Sequence, residues 1–367
     1  MTTPGRGAGV PAPVPGTTST PADDRIDNTE LAGVLQINTR AIDEVWAVPC
    51  GVGQLADSYR VHMTYRDGQP RSISVFVKLP PREQHSAATA QHIDAFARES
   101  YFYTSLSSRL DVRTPRFLGE ITLPDGQAGL VLEDLTPITR PLDQLTDGTV
   151  EQAASAMGEL AGLQAPLWDD VAAAGGIGHF YNRLDDLIEG LAERYQRSWH
   201  RFGGEIGAGL STRQRRLIAD FGNCCVTWAS GVSGPRTLTH QDLRLDNLLW
   251  SESSGVTLVD WQTLAFTSPA WDPAFLLGTA LEPDVRRSAE RELLARHVDA
   301  LAERGVRGWG FDRAWTEHRR LSGSVLLAMI AALAYVAPTS RGFDMFASLI
   351  ARGAQQADDL GLADFCN

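Results

Sequence analysis

The chain has 367 residues, of which 43% are hydrophobic and 21% charged, a composition typical of a globular protein with two domains or lobes. Its formal net charge of −12 and the lack of a Lys/Arg run argue against nucleic-acid binding. The N-terminus lacks a secretory pattern, and the uncharged stretch at residues 321–337 is shorter than the ~20 residues of a membrane span. We therefore expect a cytoplasmic protein that binds neither nucleic acid nor membrane and is a monomer or a weak homodimer.

Four cysteines are present, at positions 50, 224, 225 and 366. No Cys/His spacing matches a zinc site, and the adjacent Cys224 and Cys225 do not form a CxxC pair. This pattern predicts reduced thiols, as is usual in cytosolic proteins.

The first predicted element is a disordered tail at residues 1–22. These residues are mostly Pro, Gly, Thr and Ala, so they lack the large apolar side chains whose burial would offset the entropy of ordering. A short helix is predicted next, at about residues 30–35, with Asn28 or Thr29 as its N-cap.

The following part of the chain, up to residue 134, predicts an antiparallel sheet with one inserted helix. From Val48 onward apolar and polar residues alternate, and Asp67 and Gly68 are typical of a hairpin turn. Strands are predicted at residues 58–64, 73–79, 117–123 and 129–133, and a helix at about residues 90–110.

The rest of the chain, residues 135–367, is predicted to be mainly helical. Short strands and turns at residues 237–250 and 256–260 interrupt this region. Helical periodicity occurs at residues 150–163, 184–201, 212–229, 284–304 and 313–336.

The residues that indicate a catalytic function lie in these short strands and turns, at residues 237–250 and 256–260. Asp242 and Asn247 are five residues apart on a predicted loop, and Asp260 follows an apolar strand 18 residues after Asp242. Phosphoryl transfer needs such a set, because one carboxylate orients or deprotonates the attacking hydroxyl while a second carboxylate and an amide oxygen hold Mg²⁺.

This loop resembles the H-G-D-x-x-x-x-N pattern of the aminoglycoside phosphotransferases, choline kinases and ecdysteroid-kinase-like phosphotransferases of the protein-kinase-like superfamily. The resemblance implies Asp242 as the catalytic base, Asn247 and Asp260 as ligands of Mg²⁺, and Arg244 as a contact of the γ-phosphate. It implies a structural role for His240.

Two further residues around the loop bear on this resemblance. Gln241 stands where the family usually has Gly, and a Gly there can serve a backbone conformation that Gln adopts at some cost. Asp272 matches an aspartate of related proteins that supports the catalytic loop through backbone N–H groups.

The N-terminal region supplies the nucleotide-binding residues that this interpretation requires. Lys78 ends an apolar strand, where a buried lysine is costly unless it is paired. Glu99 on the following helix is its expected partner, and Glu83 and Asp94 are the alternatives near in sequence. In the kinase pattern this pair positions the α- and β-phosphates of the nucleotide. Residues expected to bind the nucleotide elsewhere are Gly51, Gly53 and Ser58 in a phosphate-covering loop, and Glu133 and Leu135 in the hinge between the lobes, through their backbones.

The resemblance implies an α+β, protein-kinase-like bilobal fold. Residues 23–134 would form a small N-lobe of antiparallel sheet with one helix, and residues 135–367 a larger, mainly helical C-lobe. The implied activity is transfer of the γ-phosphate of ATP or GTP to a hydroxyl group of a small molecule, with Mg²⁺. Residues 53–60 and 260–262 look most like the bacterial ecdysteroid-kinase-like branch.

The sequence bears on two alternatives to this activity. A pseudokinase that binds nucleotide without catalysis would explain Gln241, but Lys78, Asp242, Asn247 and Asp260 are all present. A protein kinase would need a long activation segment closed by an A-P-E motif, whereas only 11 residues separate Asp260 from Asp272. Aromatic and polar residues on the C-lobe helices are candidates for lining an acceptor pocket: Tyr181, Tyr195, Trp199, Trp315 and His318.

Overall fold

The computed structural model describes residues 23–50, 55–66, 72–185, 187–335 and 340–366. The predicted tail at residues 1–22 and the hairpin turn at Asp67 and Gly68 lie outside the described residues. Gly51 and Gly53 of the predicted phosphate-covering loop lie outside them too.

The N-terminal part forms a five-stranded antiparallel sheet with the strand order β1-β2-β3-β5-β4. Alternation of apolar residues places Val61, Met63, Val75 and Val77 on its buried face, which confirms the predicted period of two. The strands are β1 (Ile42–Pro49), β2 (Asp57–Tyr65), β3 (Ser72–Leu79), β4 (Phe117–Thr122) and β5 (Ala128–Glu133).

The prediction of one continuous helix at residues 90–110 is wrong, because the helical structure there is interrupted. Asp94 adopts a left-handed φ of 54°, which separates two helices, and a π-helical turn at Phe102–Leu106 follows the second. The helices of this part are α1 (Asn28–Val34), α2 (Gln84–His92) and α3 (Ala95–Tyr101). The N-cap of α1 is Asp27, whose carboxylate accepts from the amides of Thr29 and Glu30, and not Asn28 or Thr29 as predicted.

The C-terminal part is mainly helical, as predicted, with two small antiparallel sheets near its start. The helices are α4 (Val150–Gln164), α5 (Ile188–Ile206), α6 (Thr212–Ser230), α7 (Trp271–Ala280), α8 (Pro283–Glu303), α9 (Phe311–Leu321), α10 (Ser324–Ala332) and α11 (Ser340–Leu360). The strands are β6 (Arg140–Pro141), β7 (Thr237–Thr239), β8 (Leu248–Ser251), β9 (Gly255–Leu258) and β10 (Ala265–Thr267), paired as β10-β7 and β6-β8-β9.

Two helical features differ from the sequence prediction. The run predicted at residues 313–336 breaks between α9 and α10 at Gly323, where a Cβ atom would lie 2.7 Å from the ring of Phe221. Helix α11 was not among the predicted helices, although Phe346, Leu349 and Ile350 follow the i, i+3, i+4 spacing of a buried helical face.

The cysteines also differ from their prediction. Cys224 on α6 and Cys366 at the C-terminal end form a disulfide with a Cα–Cα distance of 5.5 Å, so the prediction of reduced thiols is wrong for this pair. The two residues are 142 positions apart, and only the packing of the C-terminal turn against α6 brings them together. Cys50 and Cys225 are free thiols.

The apolar core consists of a small cluster beneath the five-stranded sheet and a large cluster among the helices. Helix α10, within the apolar stretch noted in the sequence, lies in the large cluster. Among the described residues, no helix combines the length and the apolar character that crossing a membrane requires. The division of the chain into lobes at residues 134 and 135 stays a prediction.

Candidate active site

The predicted catalytic loop lies between β7 and β8 and ends in a short 3₁₀ turn at Leu245–Asn247. The side-chain amide of Asn247 donates to the backbone oxygen of Asp242 at 2.8 Å and to its carboxylate at 3.1 Å. The structure therefore brings these two predicted residues into direct contact. Both contacts are made by the side-chain nitrogen of Asn247. Within the described residues, its side-chain oxygen, Oδ1, takes part in no hydrogen bond.

The carboxylate of Asp242 is only partly satisfied. Nε of Arg244 lies 3.4 Å from each carboxylate oxygen, but hydrogen-bond geometry is met at Oδ2 alone. Oδ1 is buried and has no hydrogen-bond partner among the described residues. Such an oxygen keeps its capacity to accept a hydrogen bond.

Arg244 is fixed beside this carboxylate by a second acid. Its Nη1 donates to Asp246 at 2.5 Å and lies 3.5 Å from the sulfur of Met345. Burial disfavours the charged guanidinium, but the charges of Asp242 and Asp246 outweigh it and hold the pKa of Arg244 above its usual value. Arg244 is therefore a fixed cation next to the predicted base.

The second half of the site joins the N-terminal sheet to the end of β9. Lys78 on β3 is 7% exposed, and its Nζ lies 2.6 Å from Glu99 and 2.9 Å from Asp260. The contact with Glu99 was predicted from the sequence, whereas the contact with Asp260 was not. Burial favours the neutral amine, but both carboxylates together hold the pKa of Lys78 above its usual value.

Asp260 has the backbone conformation of a turn residue, with φ at 70° and ψ at 70°. Its side chain is 33% exposed, and Oδ1 accepts from Lys78. Burial raises its pKa, but the charge of Lys78 outweighs this and lowers the pKa below its usual value. No hydrogen bond from the described part of the chain reaches its other oxygen, Oδ2.

Helix α3 is attached to the segment that follows Asp260. The carboxylate of Glu99 accepts from the amide of Trp261 at 3.3 Å, and Arg98 donates to the carbonyl of Gln262 at 2.8 Å. The rings of Phe102 and Trp261 stack at 3.8 Å. These contacts hold Glu99 close to both Lys78 and Asp260.

Asp272 on α7 supports the backbone of the predicted catalytic loop. This fully buried carboxylate accepts from the amide of His240 at 2.7 Å and from that of Gln241 at 2.8 Å. The ring of His240 bonds the carbonyl of Val259 at 2.9 Å. Both residues therefore make the supporting contacts that the resemblance implied.

Gln241, the departure from the usual pattern, has a left-handed φ of 65°. Its carbonyl and side-chain oxygens both accept from Nη1 of Arg183, at 3.1 and 2.7 Å. Arg183 was missed in the sequence, because it lies 58 residues before Gln241 in a connecting segment with no motif. The sequence also contains a signal for Lys78 that the prediction did not use. Lys78 is the only lysine in the sequence, and this supports its selection as a nucleotide-binding residue.

The remaining predicted nucleotide contacts lie on the sheet and at its end. Ser58 on β2 pairs in register with Lys78. Glu133 ends β5, and its amide donates to the carbonyl of Arg116 at 2.9 Å. The carbonyl of Leu135 accepts from the amide and the hydroxyl of Thr139, at 2.9 and 2.8 Å.

The candidate pocket residues separate into three groups. Tyr195 and His318 are buried in the helical core, where Tyr195 donates to Ile218 and His318 bonds Glu290. Tyr181 lies beside the catalytic loop, with the guanidinium of Arg183 4.9 Å from its ring centre. The other two candidates, Trp199 and Trp315, are partly buried.

Comparison with known proteins decides the family. The profile of the phosphotransferase enzyme family, APH, matches residues 47–321, which include every residue of the candidate site. The chain belongs to this family. The predicted enzyme class, a phosphotransferase with an alcohol group as acceptor, is confirmed at the family level, and the family implies a nucleotide as co-substrate.

Solved structures support the fold of this phosphotransferase. The macrolide 2′-phosphotransferase MphH from Brachybacterium faecium has a TM-score of 0.51 and 20% identity over 87% of this chain and 96% of its own. An ethanolamine kinase from Plasmodium vivax has a TM-score of 0.52 and 11% identity over 92% and 88%. The choline kinase LicA from Streptococcus pneumoniae has a TM-score of 0.50 and 12% identity over 92% and 97%.

These likenesses confirm the predicted α+β, kinase-like fold. A search of curated proteins by sequence found no match.

Proposed function

We propose that this phosphotransferase transfers the γ-phosphate of ATP or GTP to a hydroxyl group of a small-molecule acceptor, with Mg²⁺ bound by Asn247 and Asp260 and with Asp242 as the base. Lys78, held by Glu99, would position the α- and β-phosphates, and Arg244 would contact the γ-phosphate. One observation carries the proposal above the others: the contact of Nζ of Lys78 with Asp260 at 2.9 Å. It joins the N-terminal sheet to the segment after β9 that carries the proposed Mg²⁺ ligand Asp260.

The donor set around Asp260 fits a magnesium ion. Mg²⁺ prefers oxygen ligands and is usually bound in proteins through one or two carboxylates together with phosphates. Oδ2 of Asp260 and Oδ1 of Asn247 are oxygen atoms without a hydrogen bond from the described residues. When bound there, Mg²⁺ would neutralise part of the charge on the phosphates.

The surroundings of Asp242 support its role as the base. Its Oδ1 is buried without a partner in the described chain, while Asn247 and Arg244 hold the other oxygen. A hydroxyl of the acceptor would donate its hydrogen bond to Oδ1, and the carboxylate would orient the hydroxyl and take its proton during transfer. The proton leaves the acceptor as its oxygen bonds the γ-phosphorus and the bond to the β-phosphate oxygen breaks.

The hinge supports binding of the base of the nucleotide through the backbone. The amide of Glu133 and the carbonyl of Leu135 are engaged within the protein. The carbonyl of Glu133 and the amide of Leu135 are the groups proposed to bond the edge of the purine. Because such contacts do not involve side chains, ATP and GTP both have to be tested.

The acceptor class is drawn from the resemblance and the structural relatives. Residues 53–60 and 260–262 resemble the ecdysteroid-kinase-like branch, so hydroxylated steroids or terpenoids are among the acceptors that we propose to test. The structural relatives are phosphotransferases or kinases of macrolides, aminoglycosides, choline and ethanolamine, and structures of aminoglycoside 2′-phosphotransferase-IIIa among them are GDP complexes. All of these compounds belong in one screen.

The test is release of nucleoside diphosphate from Mg-ATP and Mg-GTP in the presence of each compound, with mass spectrometry of the product. We expect one compound class to raise the release and to gain one phosphate group. The Asp242→Asn variant serves as the control for contaminating kinases. Nucleotide binding with no phosphorylated product from any class would favour the pseudokinase alternative, and no nucleotide binding would contradict the proposal.

We also propose a cytoplasmic location, where ATP and GTP are supplied. The Cys224–Cys366 disulfide is unusual for reducing compartments. A count of reactive thiols in the protein freshly isolated under acid quench tests this point. Four thiols would support a reducing location, and two would argue against it.

A further inference from the structure

Gln241 combines two properties that are costly for a glutamine. Its φ of 65° lies in the left-handed region, which non-glycine residues enter at a cost of order 1 kcal/mol. Its side chain is also fully buried, in the loop position directly before Asp242. A buried polar side chain in a strained backbone persists only where its surroundings fix it.

The fixing contacts come mainly from one arginine. Nη1 of Arg183 donates to both the carbonyl and the side-chain oxygen of Gln241, at 3.1 and 2.7 Å. The indole of Trp271 adds a longer contact to the same carbonyl, at 3.4 Å. Arg183 thereby holds both the backbone and the side chain of Gln241, while the backbone amide of Gln241 also donates to Asp272 at 2.8 Å.

Arg183 is itself held in place on several sides. The amide of Tyr181 donates to the carbonyl of Leu264 at 2.9 Å, and Asn182 accepts from the amide of Phe266 at 2.9 Å, so the segment lies along β10. The rings of Tyr181 and Trp271 lie 4.9 and 5.9 Å from the guanidinium. No carboxylate of the described chain forms an ion pair with Arg183.

Packing alone does not require an arginine at this position. A methionine or leucine would fill much of the volume without removing a guanidinium from water. Burial lowers the pKa of Arg183, and the charges of Asp242 and Asp272 oppose this effect. The arrangement is therefore understandable as a support for the loop that carries Asp242.

We propose that Arg183 is a positioning residue for the catalytic base: it holds Gln241 in the left-handed conformation that directs Asp242 toward the acceptor. The pair Arg183–Gln241 thus does here what the conformational freedom of a glycine does in the usual pattern. The proposal rests on the proposed function, because the base role of Asp242 belongs to it.

The test compares Arg183→Met, Arg183→Lys and Gln241→Gly, alone and combined. Arg352→Met is the control, because Arg352 is equally buried and also bonds a backbone carbonyl, that of Thr279, while a second donor of its guanidinium pairs with Glu282. Two quantities are measured: hydrolysis of Mg-ATP and Mg-GTP with water as the acceptor, and hydrogen–deuterium exchange in peptides that cover residues 240–247.

We expect Arg183→Met to lower the turnover number roughly tenfold to a hundredfold, the effect of losing a charged hydrogen bond, with the nucleotide KM nearly unchanged. Arg183→Lys keeps one charged donor and recovers part of the loss. In the Gln241→Gly background the same arginine substitution costs about threefold or less, because glycine takes this conformation freely. Exchange in residues 240–247 rises in Arg183→Met and not in Arg352→Met.

Equal losses from Arg183→Met in both backgrounds, or unchanged exchange in the loop, would overturn the proposal. If Arg183→Met does not fold, Arg183→Lys takes its place. The loss of turnover that Arg183→Lys causes is then compared between the wild-type and the Gln241→Gly backgrounds. A wild-type protein that neither binds nor hydrolyses nucleotide contradicts the proposed function instead. The exchange measurement still tests the support of the loop in that case.

Discussion

The candidate active site around Lys78, Asp242 and Asp260, called the cleft below, and the cluster around Glu290 in the helical core both bury charged side chains, but these two clusters use the oxygens of their carboxylates differently. In the cleft, Lys78 is paired with Glu99 and Asp260 at 2.6 and 2.9 Å. Oxygens of Asp242, Asn247 and Asp260 nevertheless remain without a hydrogen bond from the described residues.

In the helical core, both carboxylate oxygens of Glu290 on α8 accept hydrogen bonds. One oxygen accepts from Arg286 at 2.5 Å, and the other from His318 at 2.9 Å and Gln356 at 3.1 Å. Burial of charge is therefore common to both clusters, whereas oxygens without a hydrogen bond distinguish the cleft from the Glu290 cluster. We expect substitutions in the cleft to change activity and those in the core to change stability.

The largest effect is expected from Asp242→Asn. General-base catalysis contributes roughly 10²- to 10⁴-fold, so the turnover number should fall by that factor while the nucleotide affinity and the melting temperature stay nearly constant. Steady-state kinetics measures the turnover number, and calorimetric titration measures the nucleotide affinity. Asp312→Asn, at an exposed position in the first turn of α9, is the control. Turnover at the wild-type level would contradict the role of Asp242.

The opposite result is expected from Glu290→Ala. It leaves the buried guanidinium of Arg286 and the ring of His318 without their shared partner, which should lower the free energy of unfolding by about 3 kcal/mol. Urea denaturation gives this value. Nucleotide affinity, measured where the variant is folded, should be unchanged. A variant with normal stability but weak nucleotide binding would break the distinction between the two regions.

Lys78→Met sharpens the comparison inside the cleft. Removing the ammonium should weaken nucleotide binding roughly tenfold to a hundredfold, the equivalent of a charged hydrogen bond. Because Lys78 is the only lysine, acetylation followed by mass spectrometry reports on this site alone among the side chains. Bound Mg-nucleotide should slow the acetylation of Lys78. Equal labelling rates with and without nucleotide would count against a phosphate contact.

The smallest effect, taken per pH unit, is a pH dependence in the core. Burial lowers the pKa of His297 to about 3 from an ordinary value of 6.5, and neither ring nitrogen has a partner among the described residues. The unfolded chain therefore binds a proton that the folded chain does not. Between about pH 6.5 and 3, stability should fall by about 1.4 kcal/mol per pH unit from this residue.

Denaturation of the wild type and of His297→Gln across this range isolates the contribution. The variant should lose less stability on acidification than the wild type, and the difference should vanish above about pH 7. Parallel profiles would mean that His297 is protonated in the folded protein.

Local patterns in the sequence were sufficient for much of the sheet and for the candidate site. Alternating residues predicted β2 and β3, and the cost of a buried lysine predicted the contact of Lys78 with Glu99. The spacing of Asp242, Asn247 and Asp260 predicted that they belong together. These features depend on neighbours along the chain or on short motifs, so the sequence contains them directly.

Features that depend on distant contacts were not predicted. The break at Asp94 sets α3 against Trp261, and the Cys224–Cys366 disulfide needs the C-terminal turn packed on α6. Arg183 reaches Gln241 only because its segment follows β10. None of these has a local pattern, because the partner of each is chosen by tertiary packing.

The central claim is that the unused oxygens of the cleft hold a magnesium nucleotide. The most direct test is calorimetric titration of the wild type and of Asp260→Asn with ATP, with and without Mg²⁺. We predict that Mg²⁺ raises the affinity of the wild type at least about tenfold, the equivalent of ~1.4 kcal/mol, and that Asp260→Asn loses this gain. An affinity that is independent of Mg²⁺, or equally dependent on it in both proteins, would contradict the account.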